Sequence, residues 1–91
     1  MSEKARMGMR LGTETPHKRT HDLGLAAALV SCGFKLYATD RDITGHLCFV
    51  FRQTGGLTER IAAYWADELE VKALTYSQNI KSLKNRIYAG E

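Results

Sequence analysis

His46-Leu47-Cys48 sets an imidazole and a thiol two residues apart, a pair that could begin a zinc site. Zinc needs three or four ligands in closed geometry. Cys32 is the natural third candidate, while His17 and His21 lie in or beside a segment with no core-forming pattern. The pair therefore reads as an edge histidine beside a buried thiol, with no metal and no cofactor expected. Asp40 and Asp42 pose a second question, since paired carboxylates serve acid–base catalysis or cation binding. Arg41 stands between them and no ligand ladder follows, so both are read as Asx caps of a hairpin turn. Gly55-Gly56 precedes a helical pattern and could bind an anion at the helix N-terminus. No P-loop surrounds it, and a strand-to-helix break is the plainer account. The chain has no G-x-S-x-G, no H-E-x-x-H and no catalytic Cys/His signature, which argues against an enzyme.

The cations suggest a different chemistry. Lys4, Arg6, Arg10, Lys18 and Arg19 crowd the first twenty residues, opposed only by Glu3 and Glu14. From residue 21 onward eight Lys or Arg balance eight Asp or Glu, so the whole net charge of +3 belongs to the N-terminal segment. A second group, Lys81, Lys84 and Arg86 beside Tyr88, closes the chain. Cations so placed neutralise phosphates without reading sequence. The bland reading is a solvated tail plus compensation of a helix dipole. Tyr64 and Trp65 share helical spacing with Leu57 and Ile61, which makes them core residues sooner than a stacking platform.

These groups must be carried by one small domain, because 91 residues with 44% hydrophobic and 25% charged content make a single globular unit. The apolar stretch from Leu23 to Phe34 is too short to span a bilayer, and no secretory leader is apparent. With only Cys32 and Cys48, no disulfide framework is expected, and the reading is a cytoplasmic protein. Residues 1–19 hold Gly8, Gly12 and Pro16 with no apolar period, so they are expected to form a disordered basic tail, leaving 20–91 as the domain.

Within that domain Asp22 can cap a helix over 22–32, and Gly33 sits where a left-handed cap belongs. Apolar stripes at Leu23, Ala26, Ala27, Val30 and at Leu25, Ala28, Leu29, Cys32 make this helix apolar nearly all round, hence contacted on two sides. Alternation predicts strands near 34–38, with Phe34, Leu36 and Ala38 on one face, and near 46–52. A short helix near 57–66 follows. The D-x-x-E of Asp67 and Glu70 suggests a fresh start for a long helix over 68–88. Its seam is Leu69, Ala73, Tyr76, Ile80, Leu83 and Ile87. The predicted fold is α+β in the order α-β-β-α-α, a two-stranded antiparallel hairpin packed on helices.

The stretch HLCFVFRQ strains this arrangement. Leu47, Phe49 and Phe51 suit a buried face, yet Cys48 and Val50 on the other face are apolar too. A lone hairpin has unpaired edges and a wet second face. A second subunit would solve this, so a homodimer is expected, through Cys48 and Val50 or through Tyr76, Ile80, Leu83 and Ile87.

The run T-H-D-L-G-L-A-A-A-L-V-S-C-G-F-K-L and the terminal V-K-A-L-T-Y-S-Q-N-I-K-S-L-K-N-R-I-Y resemble a family of short uncharacterised proteins of bacteria, phages and prophage-like regions. Thr20, Asp22, Leu83, Lys84, Ile87 and Tyr88 hold its pattern over residues 20–88. The resemblance implies a mobile-element accessory protein and supplies no catalytic residues. The expectation is a non-catalytic binding module that contacts nucleic acid non-specifically through Lys4, Arg6, Arg10, Lys18, Arg19, Lys81, Lys84 and Arg86. The alternative is a homodimeric protein–protein adaptor.

Overall fold

A computed structural model describes residues 17–89 of the 91. Strand β1 (His17–Thr20) leads into helix α1 (Leu23–Ser31), followed by strands β2 (Leu36–Arg41) and β3 (Leu47–Arg52), then helices α2 (Leu57–Trp65) and α3 (Ala73–Ala89). The strands form one antiparallel sheet in the order β1-β3-β2. The α+β class and the hairpin agree with the sequence reading. The order becomes β-α-β-β-α-α, and a third strand replaces part of the expected tail. His17 to Thr20 pair with Arg52 to Phe49, so the ordered chain begins before residue 20. The remainder of the expected tail, residues 1–16, lies outside the described residues.

Helix α1 is the centre of the molecule. The Asp22 carboxylate accepts a hydrogen bond from the Leu25 N–H at 2.8 Å, capping it as expected. Five consecutive residues, Leu25 to Leu29, are buried. No single amphipathic stripe could produce that run; the helix is covered by the sheet on one side and by α2 and α3 on others. Gly33 takes φ +100°, with its N–H bonded to the Val30 carbonyl and the Phe34 N–H to Leu29, a Schellman closure. That closure turns Phe34 back onto the core and holds it out of the strand, so β2 starts at Leu36 rather than at residue 34.

The core joins Leu25, Ala26, Ala27 and Leu29 of α1 with Phe49, Phe51, Leu57 and Leu83. Phe49 and Phe51 thus face the helices, and Cys48 and Val50 face away. An irregularity between Leu36 and Ala38 shifts the register: Leu36 opposes Phe51 while Ala38 opposes Val50. The extra residue, Tyr37, is a bulge that moves Ala38 to the outer face, separating it from Leu36 despite their even spacing.

Helix α3 begins at Ala73, not near residue 68. The Asp67–Glu70 pair that suggested a new helix belongs to the end of the previous one. The Asp67 N–H bonds the Tyr64 carbonyl and the Glu68 N–H bonds Ala63, a second Schellman closure. Asp67 supplies its left-handed residue at φ 61°, a region aspartate tolerates better than most side chains. Tyr76, Ile80, Leu83 and Ile87 then pack on the core, as does Tyr64. Ala73 of the expected seam is exposed, and Trp65, expected in the core, is 62% exposed at the end of α2.

Gly24 permits the tight junction of the three helices. A Cβ there would stand 2.5 Å from the Tyr64 hydroxyl and 3.2 Å from both the Tyr76 hydroxyl and an Asp22 carboxylate oxygen. The Tyr76 hydroxyl also donates to the Gly24 carbonyl at 3.3 Å. Gly24→Ala improves helix propensity by up to about 1 kcal/mol, yet the contact reverses the sign. We expect a net loss of roughly 1–3 kcal/mol by chemical denaturation. The loss should shrink in a Tyr64→Phe background, where the clashing oxygen is absent.

Candidate functional site

Strand β1 alternates, so His17 and Arg19 project from the outer face of the sheet, away from the helices. His21 follows two residues later. The His17 ring stacks on Tyr37 with centroids 4.6 Å apart and 22° between planes. Arg19 Nη1 donates to the Asp40 carboxylate at 2.7 Å and lies 3.5 Å from the Cys48 sulfur. The His21 Nδ1–H donates to the Leu47 carbonyl at 2.8 Å, and its Nε2 stands 3.1 Å from Asp42. Strands β1 and β2 both pair with β3 and not with each other, so the first two contacts cross over the central strand. Together the contacts form side-chain straps from β1 to β2 and its turn.

This layer answers the difficulty of the apolar second face. Val50 lies opposite both Arg19 and Ala38, and Cys48 lies opposite Asp40. Their exposures are 3% and 2% within the single chain. The guanidinium and imidazole heads reach solvent while their stems and rings cover apolar surface. Of the six residues assigned above to self-association, Cys48 and Val50 are buried in one copy beneath the straps, and Leu83 in the core. Tyr76, Ile80 and Ile87 are half-buried against it. Cys48 and Val50 thus need no second subunit to cover them.

The straps also set charge states. The hydrogen bond from Arg19, then that from the Arg41 N–H, holds the Asp40 carboxyl below the usual carboxylate range, and Asp40 in turn raises Arg19. Asp42 is lowered too, first by the Thr44 hydroxyl. Its Oδ1 accepts from the Thr44 N–H, the Thr44 hydroxyl and the His46 N–H, so the Asx role assigned to it from sequence is present. Asp40 does not cap the turn; it is a strand residue committed to Arg19. The Thr44 hydroxyl accepts from His46 Nδ1 at 2.8 Å. Among the described residues no group of three His, Cys, Asp or Glu side chains is placed to hold a metal ion.

The cations are dispersed. Lys4, Arg6 and Arg10 lie outside the described residues. Lys18 opposes Phe51 and so projects from the helix side of edge strand β1, while Arg19 projects from the other side and is already paired. Lys81, Lys84 and Arg86 are exposed on α3, in no ion pair among the described residues. A second cationic feature was not recognised in the sequence. Arg52, at the end of β3, sits 4.5 Å over the Tyr37 ring, beside a cleft of about 560 Å³ at the start of β2. Phe34, Lys35, Tyr37, Arg52 and Thr54 line it together with Gly33 and Leu36. In the sequence Tyr37 is only one position of the alternating stretch 34–38. The bulge that brings it over Arg52 leaves no mark in the apolar period.

Both lowered carboxylates stabilise the folded state above the ordinary carboxylate pKa of about 3.9, and that contribution is lost as pH falls through their lower folded values. Thermal melts should therefore drop below about pH 4. Asp40→Asn should lower the melting temperature by a few degrees at neutral pH and make the acid limb shallower. Equal slopes for variant and parent would show that the Arg19 strap contributes nothing.

No curated protein and no solved structure matches this sequence. A family match does cover the folded part: residues 17–89 fit the family described as Domain of unknown function (DUF5659). Its first matched residue, His17, is the first residue of β1 and the start of the straps. By that match, spanning most of its length, the chain belongs to the DUF5659 family.

Proposed function

We propose that this protein is a non-catalytic module that binds nucleic acid through the phosphate backbone, without sequence preference. The observation that supports this most directly is the outward surface of α3. Lys81, Lys84 and Arg86 are all exposed there, while Ile80, Leu83 and Ile87 hold the other side of the helix on the core. Asp40 and Asp42 are engaged in the straps, and Asp22 in the α1 cap. The other described acids, Glu59, Asp67, Glu68 and Glu70, lie on α2 or in the connection before α3. The three helix cations thus stand apart from the acids in sequence. Lys4, Arg6 and Arg10 would add to the attraction. The mobile-element role implied by the sequence resemblance is compatible with such a module and remains part of the proposal.

Binding to duplex DNA should weaken with salt, with a log–log slope near −0.9 for each phosphate contacted. Replacing Lys81, Lys84 and Arg86 together by Gln should flatten that slope by about one unit or more. The cost to stability should be small, because only dipole compensation at the helix C-terminus is lost. A deletion ending at residue 16 should flatten the slope further without removing β1. Failure of the full chain to bind duplex DNA at low salt would refute the proposal.

Self-association is the second reading. Among the described residues β1 and β2 each have one unpaired edge, a template for adding a strand from another copy. Sedimentation at micromolar concentration separates a dimer from a monomer.

A further inference from the structure

We infer that the cleft beside Tyr37 is a binding site for unpaired bases of a single-stranded nucleic acid, which continues across the outer face of the sheet toward His17. This goes beyond the phosphate-binding reading above and uses a different surface. The cleft falls in the size range of small-molecule sites. Its lining combines two aromatic rings, Phe34 and Tyr37, with two cations, Lys35 and Arg52, and contains no carboxylate. That charge suits an anionic ligand. The flat groups specify more. The His17 and Tyr37 rings are stacked, the Arg52 guanidinium covers the Tyr37 ring, and Tyr37 remains 49% exposed.

A duplex cannot use such a surface, because its bases are already stacked on one another and offer only their edges. An unpaired base can, through stacking on aromatic rings and guanidinium planes. His17 on β1, Arg52 on β3 and Tyr37 on β2 set planar groups across all three strands, and the exposed half of Tyr37 leaves room for a base to join the stack. Lys35 and Arg52 line the same cleft and would supply cations for the phosphates between successive bases, and the Thr54 hydroxyl can meet a base edge or a sugar. The neighbouring strap offers no competing charge, since Arg19 and Asp40 neutralise each other.

The test is fluorescence anisotropy of the full chain with a labelled oligothymidylate of about twelve nucleotides at low salt, alongside a duplex of equal length. Tyr37→Ala should weaken single-strand binding fivefold or more, as loss of a stacking partner does, and leave duplex binding unchanged. Tyr37→Phe should retain affinity, because the ring and not the hydroxyl is required. Lys35→Gln guards against misfolding of the alanine variant: this exposed residue lies outside the core, and its loss should flatten the single-strand salt slope by about 0.7. Unchanged single-strand affinity in both Tyr37→Ala and Lys35→Gln would overturn the inference, as would no single-strand binding by the parent. Adenosine monophosphate competing as effectively as the oligonucleotide would also overturn it, by identifying a mononucleotide pocket. Single-strand binding that persists without any duplex binding would remove the α3 proposal and leave this one standing.

Discussion

Everything in this fold follows from a central strand that is apolar on both faces while its helices lie on one. Phe49 and Phe51 meet α1, α2 and α3, and that side is an ordinary helix-on-sheet core. Cys48 and Val50 would be left wet in a domain too small to place a second layer of helices over them. The chain covers them with amphipathic side chains from the flanking strands. His17, Arg19, Tyr37 and Arg52 have long or flat stems that exclude water and polar ends that remain in it. The bulge at Tyr37 belongs to the same device, because it aims that ring over the central strand.

The elements with a strong local signal were legible in the sequence. The Asp22 cap, the Gly33 closure, the hairpin and the span of α2 all rest on contacts within a few residues, so a single sequence carries them. The misses involved distant partners or shared signals. Strand β1 is four residues of HKRT with no hydrophobic alternation, and its pairing with β3 spans about thirty residues. Composition alone made it look like tail. The D-x-x-E at Asp67 is a true cap signal of the wrong polarity, read as a start where the backbone makes an end. As for the sites, the exposed cations of α3 could be named from sequence. The layer of His17, Tyr37 and Arg52 could not, because no pattern within one strand says which side chains will meet across three.

The same separation bears on function. Among the described residues the helices lie on one side of the sheet, and the other face carries rings and guanidinium groups whose charge is only partly neutralised. The α3 surface is different in kind, a row of flexible point charges with no flat partner nearby. Point charges suit a polymer's backbone, and planar groups suit its bases.

The position of β1 has a kinetic consequence as well. The hairpin of β2 and β3 closes over a short turn, whereas β1 must find β3 across the whole of α1 and β2, at greater cost in loop entropy. An edge strand of four residues, held by its ladder and by exposed straps, belongs at the low-stability end of local opening. Arg19 of that strand rests against the Cys48 sulfur. The thiol thereby lies beneath an edge strand whose lifting would leave the buried cluster of α1, β3, α2 and α3 in place. Its rate of alkylation would measure the undocking of β1 directly, a clock for one strand written into the chain by a single buried sulfur atom.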